Sequence, residues 1–254
     1  MKLYAFAAAT VIGLTLSAGA QAATVLYDQS VNLPSPGWFD GSGNPNGGFT
    51  VATDNGITTA QRVKLRQDPN VINSSNGVYN VPTGLQTSPV DSSPPHAAWN
   101  YEFDIGCNSG TCPGGSIAAL LGFSTMTVTD ITSGHSNTVS MLNWLDDSTW
   151  NGSAKGSLID PTAFIAQNSE NPIFSSFPLV GFYDVNAPDV YQFTINVKDA
   201  TGDILDTDTV WANASGMSFS PGVPEPATWA MMLLGFGAIG GMMRVRRKRE
   251  ALAA

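Results

Sequence analysis

Trp99, Tyr101, Phe103 and Ile105 share one face of an alternating stretch from Ala97 to Ile105, and Asn100, Glu102 and Asp104 share the other. Alternation with period two specifies a strand with one face in a core and one in water, so a half-buried strand is expected here. The same pattern runs through Tyr191, Phe193, Ile195 and Val197 against Gln192, Thr194, Asn196 and Lys198. Asp199-Ala200-Thr201-Gly202-Asp203 then supplies turn chemistry before Ile204–Trp211, which predicts a hairpin with Gly202 at positive φ. Shorter strand candidates are Thr24–Asp28, Phe49–Thr53, Arg62–Gln67, Ile117–Phe123, Thr125–Ile131 and Pro178–Tyr183. About eight to ten strands between Gly-, Pro- and Asn-rich turns predict an all-β antiparallel sandwich, Ig-like or jelly-roll-like. Helix signals are few. Asp160-Pro161 ahead of Thr162–Gln167 gives a side-chain cap and a proline at the first helical position, enough for one or two turns. Val139–Trp150 lacks Gly and Pro, but acids at its C-terminal end oppose the helix dipole, and it stays unassigned.

The two ends follow a different pattern. Lys2 precedes an apolar run from Leu3 to about Leu16, and small residues then lead to Ala20-Gln21-Ala22. This is the layout of a secretory signal peptide over 1–22, cut after Ala22 by signal peptidase once the Sec translocon has engaged it. Near the other end, Thr228–Met243 is sixteen residues without a charge, followed by Arg244, Arg246, Arg247, Lys248 and Arg249. As a single transmembrane helix it would reach about 24 Å, a little short of a ~30 Å hydrocarbon core. Trp229 at one interface and snorkelling basic side chains at the other extend that reach. A basic cluster directly after a span stops transfer and stays cytoplasmic, so both ends specify one topology with the body exported. Gly237 and Gly241 have the spacing of a close helix pair, which is also ordinary composition for such a span.

Just ahead of the span stands Val223-Pro224-Glu225-Pro226. Two prolines around one carboxylate bar helix and strand pairing and hold the tripeptide extended, the form a protease requires. Pro224-Glu225-Pro226, then Trp229–Gly237, then the basic tail closely resembles the PEP-CTERM sorting signal of Gram-negative bacteria, with Val245 and Lys248 as small departures inside the basic run. The resemblance covers Val223 to Arg249. It implies transient anchoring in the inner membrane, processing near Pro224-Glu225-Pro226 by an exosortase-type membrane protease, and a link to exopolysaccharide and biofilm. Trp38-Phe39-Asp40-Gly41, Trp99–Phe103 and Tyr183–Thr194 are also similar to exported proteins of unknown function with the same tail. The expected organisation is a signal peptide over 1–22, a β domain over 23–216, a linker over 217–223 and a sorting signal over 224–249.

Composition narrows what the body does. Between residues 23 and 222 five cations face eighteen acids, a net charge of −13. Nucleic acid is a poor partner for such a surface, and no cofactor motif is present. Cys107 and Cys112 are the only thiols and, in an oxidising compartment, are expected to form a disulfide; a zinc site would need two further ligands. His96 and His135 occupy turn-like settings without a Gly-x-Ser-x-Gly or Ser-x-x-Lys context, so exposed loop positions are the simpler reading. Glu102 and Asp104 are two carboxylates on one strand face, the minimum a glycosidase needs, but a solvated face is no cleft. Arg62, Lys64 and Arg66 form a basic stripe that either pairs with carboxylates on a neighbouring strand or meets an acidic exopolysaccharide. Asp199, Asp203, Asp206 and Asp208 cluster at the last hairpin as turn residues or weak calcium ligands. Trp38-Phe39, Trp144 and Trp150 either close the core or offer sugar-stacking platforms. The expectation is an exported, non-enzymatic surface or matrix protein, with a carbohydrate-binding module as the alternative and a glycoside hydrolase behind it.

Overall fold

The computed structural model describes residues 24–29, 48–66, 70–86, 96–108, 112–142, 149–150, 163–175, 177–179 and 181–221. The signal peptide, the sorting signal, Trp38, Phe39 and Trp144 lie outside them, as does the Trp150 side chain. Eleven strands and one helix are formed among the described residues. In chain order they are β1 (Thr24–Gln29), β2 (Phe49–Asp54), β3 (Ile57–Leu65), β4 (Val78–Asn80), β5 (Trp99–Cys107), α1 (Ile117–Phe123), β6 (Thr125–Asp130), β7 (Ser136–Ser140), β8 (Thr149–Trp150), β9 (Ile165–Glu170), β10 (Val190–Lys198) and β11 (Ile204–Asn213). One sheet runs β1-β2-β3-β5-β9-β8 and the other β4-β11-β10-β6-β7. The chain is therefore all-β in two sheets. Every strand pair is antiparallel except β4 with β11, which is parallel and sets Val78 beside Trp211.

Aromatic residues from the two sheets join in one core. Tyr101 of β5 stacks on Phe193 of β10 with ring centroids 4.5 Å apart, and Phe177 meets both rings edge-on at 6.2 and 6.1 Å. Trp99 contacts Tyr183, Tyr191 and Phe193 at 5.9 to 6.3 Å. Such pairs add about 0.5–1.5 kcal/mol each beyond burial of their area. The alternating residues of β5 and β10 thus meet across the interior as the pattern requires. The final hairpin also forms as expected, with Gly202 at φ 90° in its turn.

Four expectations are corrected. Ile117–Phe123 is a helix, not a strand: the Ser116 hydroxyl accepts the Ala119 N–H at 3.2 Å, and Ile117, Leu120 and Leu121 are buried at helical spacing. A short apolar run fits either period, and here the cap decides. No strand forms among the described residues of 178–183, where the Leu179 carbonyl accepts the N–H groups of Phe182 and Tyr183, each at 3.1 Å. Ile165–Glu170 is strand β9 rather than the end of a helix, because β5 offers it a full ladder from Gly106 to Tyr101. The strand proposed to begin at Arg62 begins at Ile57.

Cys107 closes β5 and is bonded to Cys112 ahead of α1, with the Cα atoms 5.2 Å apart, as the compartment argument requires. Loop-closure entropy for so small a ring is worth about 2 kcal/mol. Dithiothreitol is therefore expected to lower the urea stability of the exported protein by that amount, with Cys107→Ser/Cys112→Ser reproducing the loss and no longer responding to the reductant.

Candidate functional site

The half-buried assignment of β5 fails on its polar side. Asn100, Glu102 and Asp104 are buried like the aromatic residues between them, so both faces of β5 are covered, while β3 and β9 pair with its two edges. On that outward side the register sets Arg62 beside Glu102 and Ala60 beside Asp104. The Arg62 Nε donates to Glu102 Oε2 at 2.6 Å, Lys64 Nζ lies 2.5 Å from Glu102 Oε1, and the Ser169 hydroxyl donates to the same oxygen at 2.7 Å. The Arg62 guanidinium also sits 4.3 Å from the centre of the Phe49 ring. Arg62 and Lys64 of the basic stripe thus pair with a carboxylate on the neighbouring strand, as the first of the two readings expects, and are not presented to an acidic polysaccharide. Neither oxygen of Asp104 has a hydrogen-bond partner, and burial pushes its carboxyl well above the usual range.

A second polar group lies between the sheets. The Tyr101 hydroxyl donates to Gln61 Oε1 at 2.5 Å, and the Tyr79 hydroxyl bonds Thr50 and the carbonyl oxygens of Gly48 and Gln61. Burial pushes the Tyr79 phenol up to about 12. Asp206 and Asp208 point into this region from β11, leaving one oxygen of each without a hydrogen bond. Burial raises Asp206 to about 6 and Asp208 well above the carboxylate range. Thr59 and Gln61 beside them favour the charged forms, yet Thr59 Oγ1 and Gln61 Nε2 do not reach hydrogen-bonding geometry.

The four hairpin aspartates therefore part company. Asp199 accepts the Thr201 N–H at 2.8 Å, the Thr201 hydroxyl at 2.6 Å and the Asp203 N–H at 3.0 Å, bonds that hold its carboxyl below the usual value. This is turn chemistry, and among the described residues no three His, Cys, Asp or Glu side chains gather as a metal set. His96 meets Phe174 edge-on at 5.0 Å. His135 Nδ1 lies 3.0 Å from the Ser133 hydroxyl, which itself donates to Asp130. A nucleophilic serine gives its proton to histidine; here the hydroxyl is committed to the carboxylate, and Asp130 also caps the turn through the Thr132 and Ser133 N–H groups.

The described chain ends at Pro221, directly before the segment that carries the processing tripeptide. Residues 222–248 match the PEP-CTERM protein-sorting motif. The chain carries a PEP-CTERM sorting signal. No curated protein and no solved structure matches the chain, so this family match is what the comparisons contribute. A PEP-CTERM signal marks an exported protein that is anchored in a membrane and then processed by an exosortase, a membrane protease. Among the described residues no helix is long and apolar enough to span a bilayer, and Thr228–Met243 lies outside them. The cargo of the PEP-CTERM signal is the two-sheet body. Its buried Arg62–Lys64–Glu102 cluster escaped the alternation pattern, which cannot show that a strand is covered on both faces; the opposite charges of the Arg62, Lys64 stripe and Glu102 were the available hint.

Proposed function

We propose that this chain is an exported, non-enzymatic protein that delivers its β body to the cell surface or the extracellular polysaccharide matrix. The Sec translocon and signal peptidase act at Ala20–Ala22, Thr228–Met243 holds the product in the inner membrane, Arg244–Arg249 stops transfer, and an exosortase releases the body near Pro224-Glu225-Pro226. The match of residues 222–248 to the PEP-CTERM motif carries this reading. A glycoside hydrolase using Glu102 and Asp104 is opposed by their burial and by the two cations and hydroxyl already on Glu102. A carbohydrate-binding module is supported by three uncharged rows of Thr, Ser, Asn and Gln side chains on the outer face of the second sheet.

Mass spectrometry of the mature C-terminus in fractionated cells tests the sorting. The natural chain is expected at the surface without its basic tail, and Glu225→Ala is expected to remain in the membrane fraction with the tail attached. A surface form that keeps Arg244–Arg249 overturns the reading, and equal trimming of both chains removes Glu225 as the recognised group.

A further inference from the structure

The outer face of the second sheet has an unusual surface for so acidic a domain. Thr138, Thr127, Thr194 and Thr209 lie side by side across β7, β6, β10 and β11. The row on one side is Ser140, Thr125, Asn196 and Thr207. The row on the other is Ser136, Thr129, Gln192 and Trp211. These three rows of four carry hydroxyl and amide groups and one indole, and every position reaches solvent. Adjacent strands stand about 4.8 Å apart and alternate residues about 6.8 Å apart along each strand, so the rows form a grid of polar groups.

The grid is ordered by its own bonds. Thr127 and Thr138 hydroxyls are 2.9 Å apart, Thr129 and Ser136 2.9 Å, and Thr194 and Thr209 3.1 Å. The Thr207 hydroxyl donates to Asn196 Oδ1 at 2.9 Å, and the Trp211 Nε1 donates to Gln192 Oε1 at 3.3 Å. Each hydroxyl has one donor and two acceptor sites, so a bond to its neighbour leaves capacity that faces outward. Solvated sheet faces ordinarily intersperse Lys, Arg, Glu and Asp. Among the described residues the charged side chain next in this alternation is Lys198, at the end of β10; Asp206 and Asp208 of β11 point the other way, into the core.

We propose that this grid binds an uncharged polysaccharide, with Trp211 as the stacking platform at one corner and the Thr, Asn and Gln side chains meeting sugar hydroxyls. This deepens the carbohydrate-binding reading. Charge selects the partner. An anionic glycan, nucleic acid or anionic bilayer meets no cation within the three rows and one, Lys198, at their border, on a body of net charge −13, and a cationic partner finds its carboxylates elsewhere. A neutral, hydroxyl-rich chain exchanges hydrogen bonds with water for equivalent bonds on the grid, and the indole adds apolar contact with a sugar ring face.

Native affinity electrophoresis of the mature secreted protein tests this with three probes: hydroxyethyl cellulose, the neutral fraction of the host's own exopolysaccharide, and alginate as the acidic control. Retardation by at least one neutral glycan and none by alginate is expected. Thr127→Val/Thr194→Val keeps β-branched shape while deleting hydroxyls, and is expected to weaken retention about tenfold, as is Trp211→Ala; Met217→Ala, exposed and off the grid, is expected to leave it unchanged. No neutral probe retarding the protein, alginate retarding it equally, or unaltered retention in both grid variants overturns the proposal. Concentration-dependent dimerisation abolished by Thr194→Lys would assign the face to a second copy and likewise overturn it. Trimming of the C-terminus is read separately, so failure here leaves the sorting result standing.

Discussion

Glu102→Gln is expected to cost the body about 3–5 kcal/mol, the range for removing one partner from a buried ionic group. Both Arg62 and Lys64 are almost fully buried and converge on this one carboxylate, at 2.6 and 2.5 Å. An amide at position 102 still accepts the Ser169 proton but removes the negative charge on which the two buried cations converge. Urea unfolding of the exported protein followed by tryptophan fluorescence measures the loss, and a change below about 1 kcal/mol, the range of exposed pairs, would show that the cluster is solvated.

The body is also expected to grow less stable as pH rises through the weakly acidic range, the reverse of ordinary acid denaturation. Burial lifts Asp206 from 3.8 to about 6 in the folded protein, so between those values the folded chain binds a proton that the unfolded chain has released. The stability this contributes is fully present below about pH 4 and is lost as pH rises through about 6. The difference corresponds to about 3 kcal/mol for this carboxyl. Asp104 and Asp208 are shifted in the same direction, which carries the decline upward. Asp199, held low by turn hydrogen bonds, works the other way but sits in water. Urea midpoints from pH 4.5 to 8 are expected to fall, and Asp206→Asn to flatten the slope and raise stability at pH 8. A midpoint that climbs over this range would mean that the interior carboxyls are ionised and paired.

Legibility in the sequence follows the range over which each signal acts. The sorting segment is linear: Pro224-Glu225-Pro226, an apolar run and five basic residues are read in order, with no fold required. The β10–β11 hairpin is nearly as local, since alternation and Gly202 specify both strands and turn. α1 fails because Ile-Ala-Ala-Leu-Leu is too short for its period to decide, and Ser116 carries the information in one hydroxyl. Pairing is one of the two sequence readings for Arg62 and Lys64, but their burial depends on side chains of β2, β5 and β9 meeting on one sheet face, as Phe49, Glu102 and Ser169 do. The threonine grid was hidden for the same reason. Its residues come from four strands, and only registers fixed by tertiary contact bring Thr138, Thr127, Thr194 and Thr209 into line.

Asn213, the last residue of β11, fastens the chain as it leaves the sheet. Its Nδ2 donates to Asn80 Oδ1 at 2.7 Å and to the Met217 carbonyl at 2.8 Å, while its Oδ1 accepts the Ser215 N–H at 3.1 Å and hydroxyl at 2.6 Å. The leash from this knot to the tripeptide is short: eight residue steps from Met217 to Glu225 extend no farther than about 29 Å at full stretch. If Thr228–Met243 holds the chain in a bilayer as proposed, the folded body stays within about that distance of the lipid, and a protease that cuts near Glu225 works in the narrow gap between the two.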